Sequence, residues 1–281
     1  MQKVIALNPQ LKEEILSLLY KNEFLNAILI NIFEKTKPDI GDLWIGEREN
    51  HVCALLHIKH DGNSYYTTFA YETFSDLDVI SSLLKTIEYP KLLLAGPHED
   101  VAYLCKELGS HQAITPNLFY ALDAKLFLSH SIHLSTVLRQ ATLTKFDIHL
   151  VKKYTIDYLE AETADEIKAV SNHEKICHKI TQGLYIIEYN NQPIGMARFV
   201  GKTRNFAEIT SVYIHPDYRG NHFAKELIWH MTSLALAENK IPVLATSESN
   251  TAARKTYEHL FYIKKADYAF EFISLKNKTI D

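Results

Sequence analysis

The chain has 281 residues, with 30 basic against 34 acidic side chains and a net charge of -4, which excludes a general attraction to nucleic acid or anionic membrane. With 47% hydrophobic and 23% charged residues, and only 9 Gly and 8 Pro, collagen-like and Pro/Gly-rich disordered classes are excluded as well. The length exceeds the roughly 100 to 200 residues of a usual single domain and predicts two.

Met1 to Leu7 has one Lys and too short an apolar run for a signal peptide. The longest apolar stretch, Phe24 to Phe33, is interrupted by Asn26 and Asn31, so no membrane span is expected. The first half then predicts strands over Leu43 to Glu47, His51 to Lys59 and Tyr65 to Tyr71, with a turn at Glu49-Asn50. Helix and strand alternate after that meander: Asp76 to Glu88, Lys91 to Ala95, Glu99 to Leu108, Leu118 to Asp123. Cys53, Cys105 and Cys177 are isolated thiols without a C-x-x-C pair, which points to neither a disulfide framework nor a thiolate zinc site and fits a reducing cytoplasm.

Shifting the chain by 141 positions lays Leu43-Trp44-Ile45-Gly46-Glu47 over Leu184-Tyr185-Ile186-Ile187-Glu188, and the turn Glu49-Asn50 over Asn190-Asn191. Strands at Gln192 to Val200 and Phe206 to Ile214 follow, then helix Phe223 to Asn239, strand Pro242 to Thr246, helix Asn250 to His259 and strand Tyr268 to Ile273. The same order of elements twice predicts a duplicated unit, the alternative being chance recurrence of a β-type pentapeptide. The Ser/Thr-rich stretch Ser129 to Lys145 separates the halves, and the boundary is set at 128/129, giving domains 1-128 and 129-281.

In the second half, Ile209 to Ala224 reads as a β-branched strand, a turn at His215-Pro216-Asp217, and Arg219-Gly220-Asn221 opening a helix. Ala224, Leu227, Ile228, Met231, Leu234 and Ala235 form one apolar stripe. Strand, helix and the strand Pro242 to Thr246 make a right-handed βαβ unit with parallel strands. The turn therefore sits at the carboxyl end of a strand, where the first helical N–H groups and the helix dipole favour a phosphate and Arg219 adds a cationic fork. A plain connecting loop is the alternative. Neither a P-loop nor a G-x-G-x-x-G fingerprint is present.

Val212-Tyr213-Ile214-His215-Pro216-Asp217-Tyr218-Arg219-Gly220-Asn221-His222-Phe223-Ala224 resembles the acyl-CoA-binding motif [QR]-x-x-G-x-[GA] of the GNAT superfamily of N-acyltransferases, with His222 where the family usually has Gly. Asn250 to Tyr262 is similar to the family's later N-x-x-A-x-x-x-Y-x-x-x-G-F signature through Asn250, Ala253 and Tyr257, with Phe261 for Gly and Tyr262 for Phe. The resemblance covers about Leu150 to Ile273. It implies an α/β fold of two GNAT-like units in tandem, each a mixed sheet flanked by helices, with acetyl-CoA lying in a splay between the two parallel strands of the second half. It also implies that backbone at Val212 and Ile214 pairs with pantetheine, that amides from Gly220 to Ala224 hold the pyrophosphate, and that Asn250 and Tyr257 lie near the thioester. In the first half, the 141-residue shift puts the phosphate loop at Asp78 to Leu83, without Arg or Gly, so an anion site there is read as lost.

Acyl transfer to a primary amine needs a base for the amine and a proton for the departing thiolate. Tyr257 is the acid that the resemblance implies, although Ala253, Tyr257 and Leu260 also read as the buried face of a helix. Glu208 has the strand parity of Val212 and Ile214 and is the candidate base. The 14 His invite a metal reading, but His57/His60, His130/His133 and His173/His178 lack a paired Cys or carboxylate cluster, so no metal is expected. His215 and His222 flank the anion loop as modifiers. The expected protein is a cytoplasmic acetyltransferase acting on a small-molecule or peptide amine, a homodimer being possible, with Glu160 to Gln182 in the acceptor site; a non-catalytic CoA-binding module is the alternative, and a scaffold without cofactor is a third.

Overall fold

The computed structural model of the protein describes residues 1–35, 38, 40–61 and 64–274. The end of the expected second domain, 275–281, lies outside the described residues. In chain order the elements are β1 (Gln2–Val4), α1 (Pro9–Tyr20), α2 (Ala27–Phe33), β2 (Asp42–Arg48), β3 (His51–Asp61), β4 (Ser64–Tyr71), α3 (Phe74–Leu84), β5 (Leu92–Pro97), α4 (His98–Glu107) and β6 (Asn117–Leu122). They continue with α5 (Ala124–Leu128), β7 (Val137–Gln140), α6 (Lys145–Tyr158), α7 (Ala164–Val170), α8 (His173–Thr181), β8 (Leu184–Tyr189), β9 (Gln192–Lys202), β10 (Phe206–Ile214), α9 (Phe223–Ala237), β11 (Ile241–Ser247), α10 (Thr251–His259) and β12 (Tyr262–Ile273).

Two compact units result, one of Met1–Phe119 with the chain from Ala266 onward, the other of Tyr120–Lys265. The last strand thus passes from the second unit into the first, where Tyr268 to Ile273 pair antiparallel with Pro97 to Leu92. A boundary drawn along the sequence has no means of showing that crossing.

In the first unit β1 to β4 are successively antiparallel and β4 runs parallel to β5. Apolar residues alternate across the strands, so both faces bury. Ile15, Leu19, Ile30 and Phe33 of α1 and α2 cover one side with Leu43 and Leu55. Leu77, Ile80, Val101 and Leu104 of α3 and α4 cover the other with Leu56 and Leu94. The second unit repeats the plan: β7 to β10 are successively antiparallel and β10 is parallel to β11. Val151, Tyr154, Ile176 and Ile180 of α6 and α8 pack on Leu184, Ile186, Met196 and Tyr213. Of the stripe expected on α9, Leu227, Ile228, Met231 and Ala235 are buried, while Ala224 and Leu234 are partly exposed.

The sequence repeat holds in register. β3 and β9 coincide at the 141-residue shift, and the parallel pairs Tyr65↔Leu92 to Thr68↔Ala95 and Phe206↔Ile241 to Ile209↔Leu244 begin at equivalent residues of β4 and β10. After those strands the shift changes. Only Glu72 and Thr73 join β4 to α3, whereas His215 to His222 join β10 to α9.

Candidate active site

Pairing of β10 with β11 ends at Ile209, and on its other side the register with β9 jumps from Thr210↔Arg198 to Tyr213↔Met196. Ser211 takes a left-handed φ of 55°, so the strand bulges there and bends away from its parallel neighbour. Ser211 and Val212 fall within the register gap and have no Cα partner on β9. Gly195 makes the geometry possible: a Cβ at that position would run into the Tyr213 carbonyl oxygen. The bulge also breaks strand alternation. Glu208 therefore does not share a face with Val212 and Ile214 as simple parity predicted; Tyr213, opposite Met196, is on its side instead.

Past the strand, Pro216–Tyr218 form a single 3-10 turn, and Phe223 opens α9. Phe223 is buried against Tyr189, with ring centroids 4.8 Å apart, which fixes the first helical turn. Among the described residues the backbone N–H groups of Gly220 to Ala224 make no hydrogen bond, while those of Lys225 and Glu226 reach His222 O. Successive free amides next to a left-handed residue form an anion-binding nest, reinforced by the helix dipole. Arg219 donates its Nε–H to Ile214 O at 2.9 Å and lies over the Tyr213 ring, 5.8 Å from its centroid. The Tyr213 hydroxyl in turn donates to Asp157 at 3.0 Å. The Ile214 carbonyl, expected to face pantetheine, thus receives Arg219.

Glu208 is partly exposed by area, yet burial of its carboxyl pushes its pKa up to about 7, against an opposing pull from Arg198. Tyr257 is 5% exposed, and its ring meets Tyr120 edge-on at 5.7 Å. Burial raises the Tyr257 phenol well above its ordinary range, so it stays protonated at neutral pH. Tyr158, at the end of α6, is near enough to act electrostatically on both Tyr257 and Arg198, the latter on β9 beside the strand that bears Glu208. Asn250 is the N-cap of α10 and accepts from Ala253 N at 3.1 Å.

Residues 149–261 match the acetyltransferase (GNAT) family. The chain is also similar to a tandem GNAT protein from the clavulanic acid biosynthesis pathway, solved without AcCoA, at 11% identity with 98% of each chain covered and a TM-score of 0.67. It resembles a Drosophila protein at 11% identity, covering 96% of this chain and 98% of that one with a TM-score of 0.67. The fold is that of a tandem GNAT protein. A GCN5-related N-acetyltransferase from Sphaerobacter thermophilus gives 10% identity, 98% and 96% coverage and a TM-score of 0.63. No curated protein matches the chain by sequence.

The departures from the GNAT motifs have a common backbone explanation. His222 and Phe261, each at a usual Gly position, have φ of 64° and 65°. The chain therefore keeps the left-handed conformation for which glycine is normally used. Phe261 is held by a ring contact with His130 at 4.4 Å, while His222 is exposed and makes no capping bond. His222→Gly is expected to stabilise the fold by about 0.5 to 1 kcal/mol in denaturant unfolding, because it relieves a left-handed side chain without losing a contact. A destabilised variant would contradict that strain assignment. Tyr262, in place of Phe, shares a hydrogen bond with Thr232 at 2.6 Å, so its added hydroxyl is satisfied in the core.

The first unit lacks this constellation. Asp78 to Leu83, expected to align with the phosphate loop, lie inside α3, because the short Glu72-Thr73 connection shifts the register after β4. The N-terminus of α3 is occupied from within, with the Asp76 carboxylate accepting from Thr73 N at 2.9 Å and Thr73 Oγ1 at 2.8 Å. Arg48 donates to that same carboxylate at 2.9 Å. Strand β4 pairs with β3 without a bulge. Phe69, at the position of Thr210, packs so closely on Gly96 that a Cβ there would lie 2.6 Å from the ring. Among the described residues no His, Cys, Asp and Glu cluster could hold a metal ion, and no helix is long and apolar enough to cross a membrane.

Arg198, Tyr158 and Asp157 join the site without belonging to either sequence motif. Glu226 also lies outside them; it is 7% exposed and accepts from the backbone N–H and hydroxyl groups of Ser135 and Thr136, anchoring the Ser/Thr-rich stretch to α9. Their signal is three-dimensional, because each acts across strands or on a segment distant in the chain.

Proposed function

We propose that the protein is an N-acetyltransferase whose second unit moves an acetyl group from acetyl-CoA to a primary amine by direct attack. The observation that carries this reading is the combination of a bulged, splayed β10 with a nest of free amides and Arg219 at its end. The backbone at Val212, just past the bulge, suits pantetheine, and the amides of Gly220 to Ala224 with Arg219 suit the pyrophosphate.

In this reading Glu208, ionised in an appreciable fraction near neutral pH, accepts a proton from the amine directly or through water. The amine nitrogen attacks the thioester carbon, the tetrahedral adduct collapses, and the C–S bond breaks. Tyr257 gives its proton to the departing thiolate and regains one from solvent. A protonated phenol in an apolar setting is in the form that this step needs. Neutral amide and CoA thiol are the products.

Amine-dependent release of thiol from acetyl-CoA, followed across a panel of primary amines, tests the reading. The expected result is amine-dependent release. Arg219→Ala should raise the acetyl-CoA dissociation constant roughly ten-fold or more, as loss of a charge-assisted hydrogen bond predicts. Tight binding of acetyl-CoA without thiol release for any amine would favour a CoA-binding regulatory module instead.

A further inference from the structure

Arg198 lies directly across from Thr210 of β10 and Leu184 of β8. Residues opposite each other in antiparallel strands share a face, as do residues two apart on one strand. Arg198, Thr210 and Glu208 therefore stand on one side of the sheet, the side covered by Ile176 and Ile180 of α8 together with Leu184 and Met196. A guanidinium on this apolar face is unusual, and its buried Nε has no hydrogen-bond partner among the described residues. No ion pair to Arg198 is present among them either.

Lys179 of α8 faces the same place. Its ammonium is held below its ordinary pKa, first by burial and then by the nearby charges of Arg198 and Lys175. Arg198 is lowered by burial in the same way, and Glu208 is the carboxylate that acts on it. Two partly desolvated cations thus act on each other, and Glu208, the carboxylate beside Arg198, is itself held partly protonated by burial, an arrangement that costs stability unless a further anion completes it.

We propose that the acceptor is an amine that also bears a carboxylate, as an amino acid does, and that Arg198, backed by Lys179, binds this carboxylate so that the amine is presented to Glu208. The guanidinium fork matches a carboxylate in two parallel hydrogen bonds, whereas a polyamine would meet like charge. This inference rests on the transferase reading for the identity of the bound molecule, but its test does not depend on turnover.

Calorimetry on CoA-loaded protein, in which no transfer occurs, compares amino acids with the corresponding amines and amides that lack the carboxylate, and includes an amine bearing a phosphate. Carboxylate-bearing ligands should bind roughly ten-fold or more tightly than their uncharged counterparts, and Arg198→Lys should remove that preference while leaving CoA affinity unchanged. The lysine keeps a positive charge beside Glu208, so loss of preference reports the fork rather than the field. Equal binding of charged and uncharged members, no binding of any of them, or a preference for the phosphate ligand would overturn the proposal. Selective binding of carboxylates with no thiol release from acetyl-CoA would uphold the subsite and count against the catalytic reading alone.

Discussion

Tyr257→Phe is expected to lower kcat by roughly 10² to 10⁴ while acetyl-CoA affinity stays nearly unchanged, the range for loss of a positioned acid. The substitution removes one oxygen and keeps the ring. The edge-on contact with Tyr120 at 5.7 Å and the tilted contact with Tyr262 at 6.2 Å are both made by carbon faces and survive in phenylalanine. Among the described residues the Tyr257 hydroxyl makes no hydrogen bond, so no protein partner is orphaned. A large fall in kcat with intact melting behaviour therefore isolates the proton. Full turnover with a lowered melting temperature would instead make Tyr257 a packing residue of α10.

Glu208→Gln is expected to reduce kcat/KM by a similar factor, roughly 10² to 10⁴, and to abolish a rise in activity through a pH of about 7. The glutamine is close in size but cannot accept a proton, so the loss should be greatest above neutral pH, where the native carboxylate is ionised. Stability carries the opposite sign. Because burial raises this pKa, the folded protein holds the proton more tightly than the unfolded chain; the resulting stabilisation is complete below the ordinary carboxylate value of about 4.3 and is lost as pH rises through about 7. The variant should therefore gain melting temperature relative to wild type as pH is raised from about 5 to about 8. A gap that stays constant with pH would show that Glu208 is solvated and ordinary.

Much of the fold could be read from the sequence because its signals are local and repeated. The alternation of Leu43 to Glu47 and its partner at Leu184 to Glu188, and the α9 stripe, each announce their element within a short window. Helices α1, α2 and α6 to α8 were not assigned, although Asn8, Thr144, Thr163 and Asn172 accept capping hydrogen bonds at the starts of α1, α6, α7 and α8. At α7 the cap is a full Thr163/Glu166 box, a sequence-visible signature. The turn between β10 and α9 was legible through Arg219 and Gly220. What escaped was the bulge: nothing in Thr210-Ser211-Val212 marks a left-handed φ, so strict alternation put Glu208 on the wrong face relative to Val212 and Ile214. The short connection after β4 was equally invisible to a fixed 141-residue shift, which placed Asp78 to Leu83 in a loop rather than inside α3.

One unit of the two is expected to take the acyl-CoA, at β10 and the start of α9. Titration calorimetry of the intact chain with acetyl-CoA tests it most directly. The expected stoichiometry is near one, with that single transition weakened in Arg219→Ala. Two sites per chain, or one site indifferent to Arg219, would contradict it.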